Sequence, residues 1–208
     1  MSGLEDIVGK EVISADAIII GTVEGIALDV DNWKVTAIRV SVRKGNEAAL
    51  NLKKKALGVQ RVHVAAPQVS SVSDTVTLAV KMDQVKDVLL EDRKAPLSAG
   101  DLMNKRVVGH DGKQIGYLDN VYFDAGRTWE ITKFGVKLDK SAKQALDLKK
   151  GIAPSSQITV LTKDVKTVGD MVMLALDTSG LKDYLNNKQV SKKRSEERRV
   201  GKECRSRW

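Results

Sequence analysis

The 208-residue chain is poor in the residues from which active sites are usually built. Its one cysteine, Cys204, stands at the extreme end, so no internal disulfide forms. Its two histidines, His63 and His110, fall in no metal-ligand spacing, and surface or turn positions are expected for both. Aromatic residues make up only 4%, which leaves the core to Val, Ile and Leu. No apolar run reaches membrane-spanning length, and the start, Met1-Ser2-Gly3-Leu4-Glu5-Asp6, is polar. A soluble, cytoplasmic protein without a membrane span is expected. There is no phosphate-binding glycine loop, nucleophile elbow or HExxH run. Asp29-Val30-Asp31 begins like a calcium loop, but no glycine and glutamate follow at the required places. The expectation is a non-enzyme with no cofactor and no metal.

One excess stands against these shortages, a net charge of +8. Part of it lies in Arg194–Trp208, which has no apolar periodicity and no counterpart upstream. Arg194 to Cys204 reads as the translation of a short-read sequencing adaptor. Residues 191–208 are therefore expected to form a disordered tail, artefactual from 194. The competing reading is a basic tail for nucleic acid or anionic lipid. The tail carries six Lys or Arg and three Asp or Glu, so the charge without it is +5, a weak argument for nucleic acid. Without the tail the chain has no cysteine, which excludes thiol chemistry and cysteine-based metal sites.

What the chain does have is a duplication. Asp16–Asp29 and Asp111–Asp124 share Ile-Gly at Ile20-Gly21 and Ile115-Gly116, and both close on Asp. The match extends over residues 4–90 and 99–187 at an offset of 95, which becomes 96 at about Trp33. Trp33 matches Trp129, and Leu50-Asn51-Leu52-Lys53-Lys54 matches Leu146-Asp147-Leu148-Lys149-Lys150. Two units are expected, 1–91 and 99–190, joined by a linker over 92–98.

Alternating apolar residues predict strands at 11–14, 19–28, 35–42, 49–52, 61–64 and 75–80. The second unit repeats them at 106–109, 114–123, 130–138, 145–148, 157–160 and 171–176. In the long strand the spacing Val23, Ile26, Leu28 (Leu118, Val121, Phe123) breaks alternation. That predicts a β-bulge near Gly25 and Asn120, bending the strand around a small barrel. Val85, Val88 and Leu89, like Leu181, Tyr184 and Leu185, predict a short closing helix. Asp111-Gly112 suits a turn that needs positive φ. Ala17 takes the glycine's place in the first unit, so that copy must use another turn or accept strain.

Leu97-Ser98-Ala99-Gly100-Asp101-Leu102-Met103-Asn104-Lys105-Arg106-Val107-Val108, followed by Asp111-Gly112, Ile115-Gly116 and Asp124, resembles the PRC-barrel domain. The family includes the cytoplasmic part of the photosynthetic reaction-centre H subunit and the C-terminal half of the ribosome maturation factor RimM. The resemblance implies a mainly β chain of two tandem PRC-like barrels, each ending in a short helix. Stand-alone archaeal-type PRC-barrel proteins look closest. The resemblance implies a protein–protein adaptor, in its sharpest form an accessory of archaeal cell division. The contrasting class is a ribosome- or RNA-associated factor.

Under this reading Asp16, Gly21, Asp29, Asp111, Gly112, Gly116 and Asp124 are a structural signature. Asp29 and Asp124 are expected to cap turns through their own backbone rather than to do acid–base work. Lys53-Lys54 and Lys149-Lys150 read as solvated loops or as symmetric basic patches facing an acidic partner or RNA. Trp33 and Trp129 read as plugs of the barrel end or as anchors for a partner protein. A homodimer is one admissible partnership. A pseudo-two-fold arrangement of the units is expected, because duplicated domains often reproduce an ancestral dimer.

Overall fold

The computed structural model describes residues 2–53, 58–90, 97–146 and 157–182. The first unit contains β1 (Ser2–Gly3), α1 (Leu4–Ile7), β2 (Glu11–Ile13), β3 (Ile19–Asp29), β4 (Lys34–Val42), β5 (Arg61–Ala65), β6 (Val69–Val72), β7 (Val76–Leu78) and β8 (Leu89–Leu90). The second contains β9 (Leu97–Ser98), α2 (Ala99–Leu102), β10 (Arg106–Val108), β11 (Gln114–Phe123), β12 (Ile131–Leu138), α3 (Lys140–Ala145), β13 (Gln157–Leu161), β14 (Val165–Val168) and β15 (Val172–Leu174).

The chain is mainly β, and the two sheets repeat one order: β6-β7-β2-β3-β4-β5-β8 and β14-β15-β10-β11-β12-β13. In both, the short strand after the first helix pairs antiparallel with the long strand and parallel with a late one, β7 or β15. Among the described residues the pairing is an open path in each sheet, so the barrel wall has no hydrogen-bonded seam between its outer strands.

The long strands bend where the spacing predicts. Register slips between Val23 and Gly25 and between Leu118 and Asn120, which makes Glu24 and Asp119 the inserted residues. At another point of the same strands the backbones come close. A Cβ on Gly21 would stand 2.0 Å from the Ser41 carbonyl oxygen, and one on Gly116 2.0 Å from that of Lys137. Only glycine fits either position. Ala17 accepts the strain rather than changing the turn: its φ is 63°, against 75° at Gly112. The same 3.0 Å hydrogen bond closes both turns, Ala17 N to Ser14 O and Gly112 N to Gly109 O.

Four expectations need correction. The stretches predicted as strands at 49–52 and 145–148 are not strands in the described residues. Leu50 N and Leu52 N donate back to Asn46 O and Glu47 O, and Ala145 ends helix α3. Leu-x-Leu mimics a period of two, yet Leu50 is a single buried plug and Asn51 has φ 54°. Leu89 leaves the closing helix, a 3-10 helix over Met82–Val88, and joins β8, which pairs with His63 and Val64. His63 is a buried residue of β5, not a surface or turn histidine, whereas His110 is exposed. Leu97 and Ser98, expected in the linker, form β9 and pair with Leu28 and Ala27 of the first unit.

The last correction reveals how the units are joined. Ser2 and Gly3 pair with Phe123 and Tyr122 of the second unit. Shifted by the repeat offset, these are the pairs Leu97–Leu28 and Ser98–Ala27. Each unit thus extends an arm onto the other's long strand. The helix that follows each arm buries Ile7 or Leu102 completely, in one continuous apolar core. The exchange is reciprocal, the pairing expected of a pseudo-two-fold. Residues 178–182 are helical, while Tyr184, Leu185 and the tail from 191 lie outside the described residues.

Candidate functional site

The pseudo-axis passes through one bridge, Lys34 opposite Glu130 in antiparallel pairing. On either side of it a tryptophan takes up a left-handed backbone, φ 52° at Trp33 and 58° at Trp129. For a bulky residue that conformation is rare and costs about 1–3 kcal/mol. The structure shows what holds it. Trp33 O accepts from Ile131 N at 2.7 Å, and Trp129 O accepts from Val35 N at 2.9 Å. The strained step aims each carbonyl at the other unit.

The rings fill the same seam. Trp33 meets Phe134 of the second unit edge-on, with centroids 5.4 Å apart. Trp129 stacks on Phe123 at 5.9 Å. Trp129 is only 5% exposed and stacks within its own unit, while Trp33 is half-buried and reaches the surface. Both tryptophans lie at a junction between units rather than at a barrel end.

The turns that carry them are braced by the signature carboxylates. Asp29 accepts from the backbone N–H groups of Asp31 (2.9 Å) and Asn32 (3.0 Å) and from the Asn32 amide (2.7 Å). Those bonds, the Asn32 amide first, hold its carboxyl below the usual aspartate range. Asp124 O accepts from Trp129 N at 3.0 Å, and its carboxylate accepts from Thr128 Oγ1 at 3.3 Å. Asp16 accepts from Ser14 Oγ (2.5 Å) and Met82 N (3.0 Å), which ties the first turn to the closing helix. The Ser14 bond is the main reason its carboxyl titrates low. Asp111 pairs with Lys113 at 3.2 Å. These carboxylates have local structural partners.

Two clefts flank the bridge, and the repeat relates them. The larger, about 730 Å³, runs between Val35, Ala65, Ala66 and Pro67 of the first unit and Thr128 and Trp129 of the second. The smaller, about 340 Å³, lies between Ile131, Leu161, Thr162 and Lys163 of the second unit and Asn32 and Trp33 of the first. The walls correspond residue by residue. Ala65, Ala66 and Pro67 stand where the second unit has Leu161, Thr162 and Lys163. Small side chains widen one copy and larger ones narrow the other. The larger cleft also has Lys34, Arg127 and Leu90 at its rim.

Lys53 is exposed and lines neither cleft, and Lys54, Lys149 and Lys150 lie outside the described residues. Sequence reasoning missed Lys34, Pro67, Leu90 and Arg127. The signal was available in the repeat alignment, where Pro67 faces Lys163 and Arg127 sits beside the one-residue insertion. Among the described residues, no cluster of His, Cys, Asp or Glu could hold a metal, and no helix is long and apolar enough to cross a membrane.

The family model of the PRC-barrel domain matches residues 1–85. That is the unit with Ala17 in place of the turn glycine. No curated protein matches the chain. Among solved structures, a crystal structure described as the 16S ribosomal RNA processing protein RimM of Pseudomonas aeruginosa is 9% identical, with a TM-score of 0.26. The match covers 76% of this chain and 98% of that one, and a score so low carries no argument.

Proposed function

We propose that residues 1–85, which the PRC-barrel family model matches, are a PRC-barrel domain, and that the chain is a protein–protein adaptor in which a second unit of the same topology completes one binding body. The observation that carries this reading is the pair of inequivalent clefts at the inter-unit seam. Reciprocal arms lock the units together, so the seam is a rigid surface, and only one of its two symmetry-related clefts is wide. Rigid, concave, mostly apolar surfaces at a domain junction are where partners and ligands dock. The carboxylates of the signature are engaged in turns, which supports a binding role over acid–base chemistry. The narrower reading, accessory work in archaeal cell division, rests on the family resemblance alone.

The test is affinity capture from the host with the full chain and with residues 194–208 removed, across a salt series and with nuclease treatment. An adaptor retains its protein partner after nuclease and weakens only mildly with salt. Retention that vanishes with nuclease, and falls steeply with salt, would assign the chain to RNA instead.

A further inference from the structure

We propose that the larger inter-unit cleft binds an extended acidic peptide segment of a partner protein, with a small apolar or proline side chain seated against Pro67 and Leu90. This rests on the adaptor reading and adds the chemistry of what the cleft takes.

The first argument is shape. The cleft's volume, about 730 Å³, lies within the range of roughly 300–1,000 Å³ typical of ligand sites. Its walls belong to rigid elements: the start of β4, the end of β5 with the 3-10 turn Ala66–Gln68, and the loop held by Asp124. A groove between fixed backbones suits an extended chain better than a globular protrusion.

The second argument is apolar character at an open rim. Leu90 is 41% exposed, one of few large apolar residues so placed among the described residues. It stands at the cleft with Pro67 and with the small residues Ala65 and Ala66. An exposed apolar side chain beside a concave apolar wall marks a place where another apolar group is accepted.

The third argument is charge. Lys34 and Arg127 are both exposed at the rim, and neither has an ion pair among the described residues. The carboxylate that shares the cleft, Asp29, already accepts three hydrogen bonds. The related cleft of the other unit has Glu130 and Lys163, one charge of each sign. The wide cleft therefore differs from its twin in two ways at once: it is larger, and its charges, Lys34 and Arg127 against Asp29, leave one positive charge in excess where the twin's cancel. Both differences favour a carboxylate-bearing segment. Arg127 can hold a carboxylate through two parallel N–H donors, which also fixes the direction of the bound chain.

The twin supplies the control. Ala65→Leu with Pro67→Lys transplants the narrow wall into the wide cleft, on a backbone that already carries those residues in the second unit. Lys34→Gln with Arg127→Gln removes the cations from exposed positions and leaves the shape. The experiment is selection of phage-displayed 12-residue peptides on the full chain, followed by affinity measurement of the selected peptides on both variants and on the chain lacking 194–208. The expected result is enrichment of peptides with Asp or Glu near Pro or a small apolar residue. Their affinity should fall about tenfold or more on either variant and survive loss of the tail, a tenfold change being about 1.4 kcal/mol. Failure to enrich any peptide overturns the proposal. So does enrichment of basic peptides, or binding indifferent to both variants. Peptides that bind at another surface overturn the cleft assignment while leaving the adaptor reading intact. Binding that emerges only when residues 91–96 are replaced by Gly and Ser would assign the cleft to the chain's own linker.

Discussion

At the bulge of the long strand, the second unit carries Asn120 where the first carries Gly25. Asn120 is buried and its amide is engaged at both ends. Its Oδ1 accepts from Leu4 N at 3.0 Å, and its Nδ2 donates to Glu5 Oε1 at 2.8 Å. It therefore holds the start of α1, the arm of the first unit. At Gly25 there is only open space, and the reciprocal arm relies on its own caps, Ser98 N to Asp101 at 3.1 Å and Gly100 N to Ser98 Oγ at 3.2 Å. The two units keep the same backbone and differ in which side chains fasten it. Backbone approach tolerates no substitution, so it is shared. Capping and surface pairing have several chemical solutions, so they diverge.

The largest effect is expected where the copies agree. Gly21→Ala and Gly116→Ala each drive a methyl into a neighbouring carbonyl at 2.0 Å. A backbone atom cannot yield as a flexible side chain can, so each substitution should cost about 3 kcal/mol or more in urea unfolding. Equal losses in the two units would show that the shared approach is the common requirement. A loss below about 1 kcal/mol in one of them would show that its strand can shift.

Asn120→Ala comes next, and it breaks the symmetry of the arms. It orphans Leu4 N and loosens Glu5, which should cost about 2 kcal/mol. Hydrogen exchange should accelerate over 2–7 and leave 97–102 unchanged. Gly25→Asn, at the twin site, should be nearly neutral because nothing stands within 4 Å of its new Cβ. Equal deprotection of both arms would mean that Asn120 supports the whole seam rather than one arm.

The turn offers a smaller contrast. Ala17 sits at φ 63° where the second unit has glycine. Relief of left-handed strain is worth about 1–2 kcal/mol, and glycine's added unfolded-state freedom takes back about 0.5–1. Ala17→Gly should therefore stabilise by roughly 0.5–1 kcal/mol, and Gly112→Ala should destabilise by a similar amount. Thermal melts of the two variants read the signs directly.

Much of this architecture is legible in the sequence because it is local and repeated. The bulge shows as a skipped alternation at Val23-Ile26-Leu28, and the Asp29 cap shows as a turn carboxylate after a strand. The arms do not show. Ser2-Gly3 and Leu97-Ser98 are two-residue strands whose partners lie about 120 and 70 residues away, and neither length carries a period. The burial of His63 is equally invisible, since its strand is flanked by β4 on one side and by the two-residue β8 on the other. The tryptophans could be matched between copies but not placed, because their position at the seam follows from a left-handed φ that no propensity assigns to Trp. The cleft is the product of all three: arms that fix the units, turns that aim them, and small residues on one wall.

The smallest expected effect concerns the residues inserted at the two bulges. In the first unit Glu24 takes a two-pronged bond from Arg61, at 2.6 and 2.8 Å, with Arg39 at 3.3 Å. In the second, Asp119 accepts from the neutral amide of Gln157 at 3.0 Å. The Arg61 bond lowers the Glu24 carboxyl from its ordinary 4.5, with burial opposing and the charges of Arg39 and Arg61 adding. A depressed folded-state pKa gives stability that is fully present above the ordinary value and is lost as pH falls through the folded one. The Glu24 pair therefore strengthens the fold above about pH 4.5 and contributes less and less below it. Because the pair is about one-third exposed, the effect stays small and is screened by salt. Glu24→Gln should lower stability slightly at neutral pH and flatten the acid limb of the stability curve. Asp119→Asn, whose partner brings no charge, is the control. Equal flattening by both substitutions would mean that the guanidinium of Arg61 is not the cause, and that the inserted carboxylate itself serves the bend in each unit.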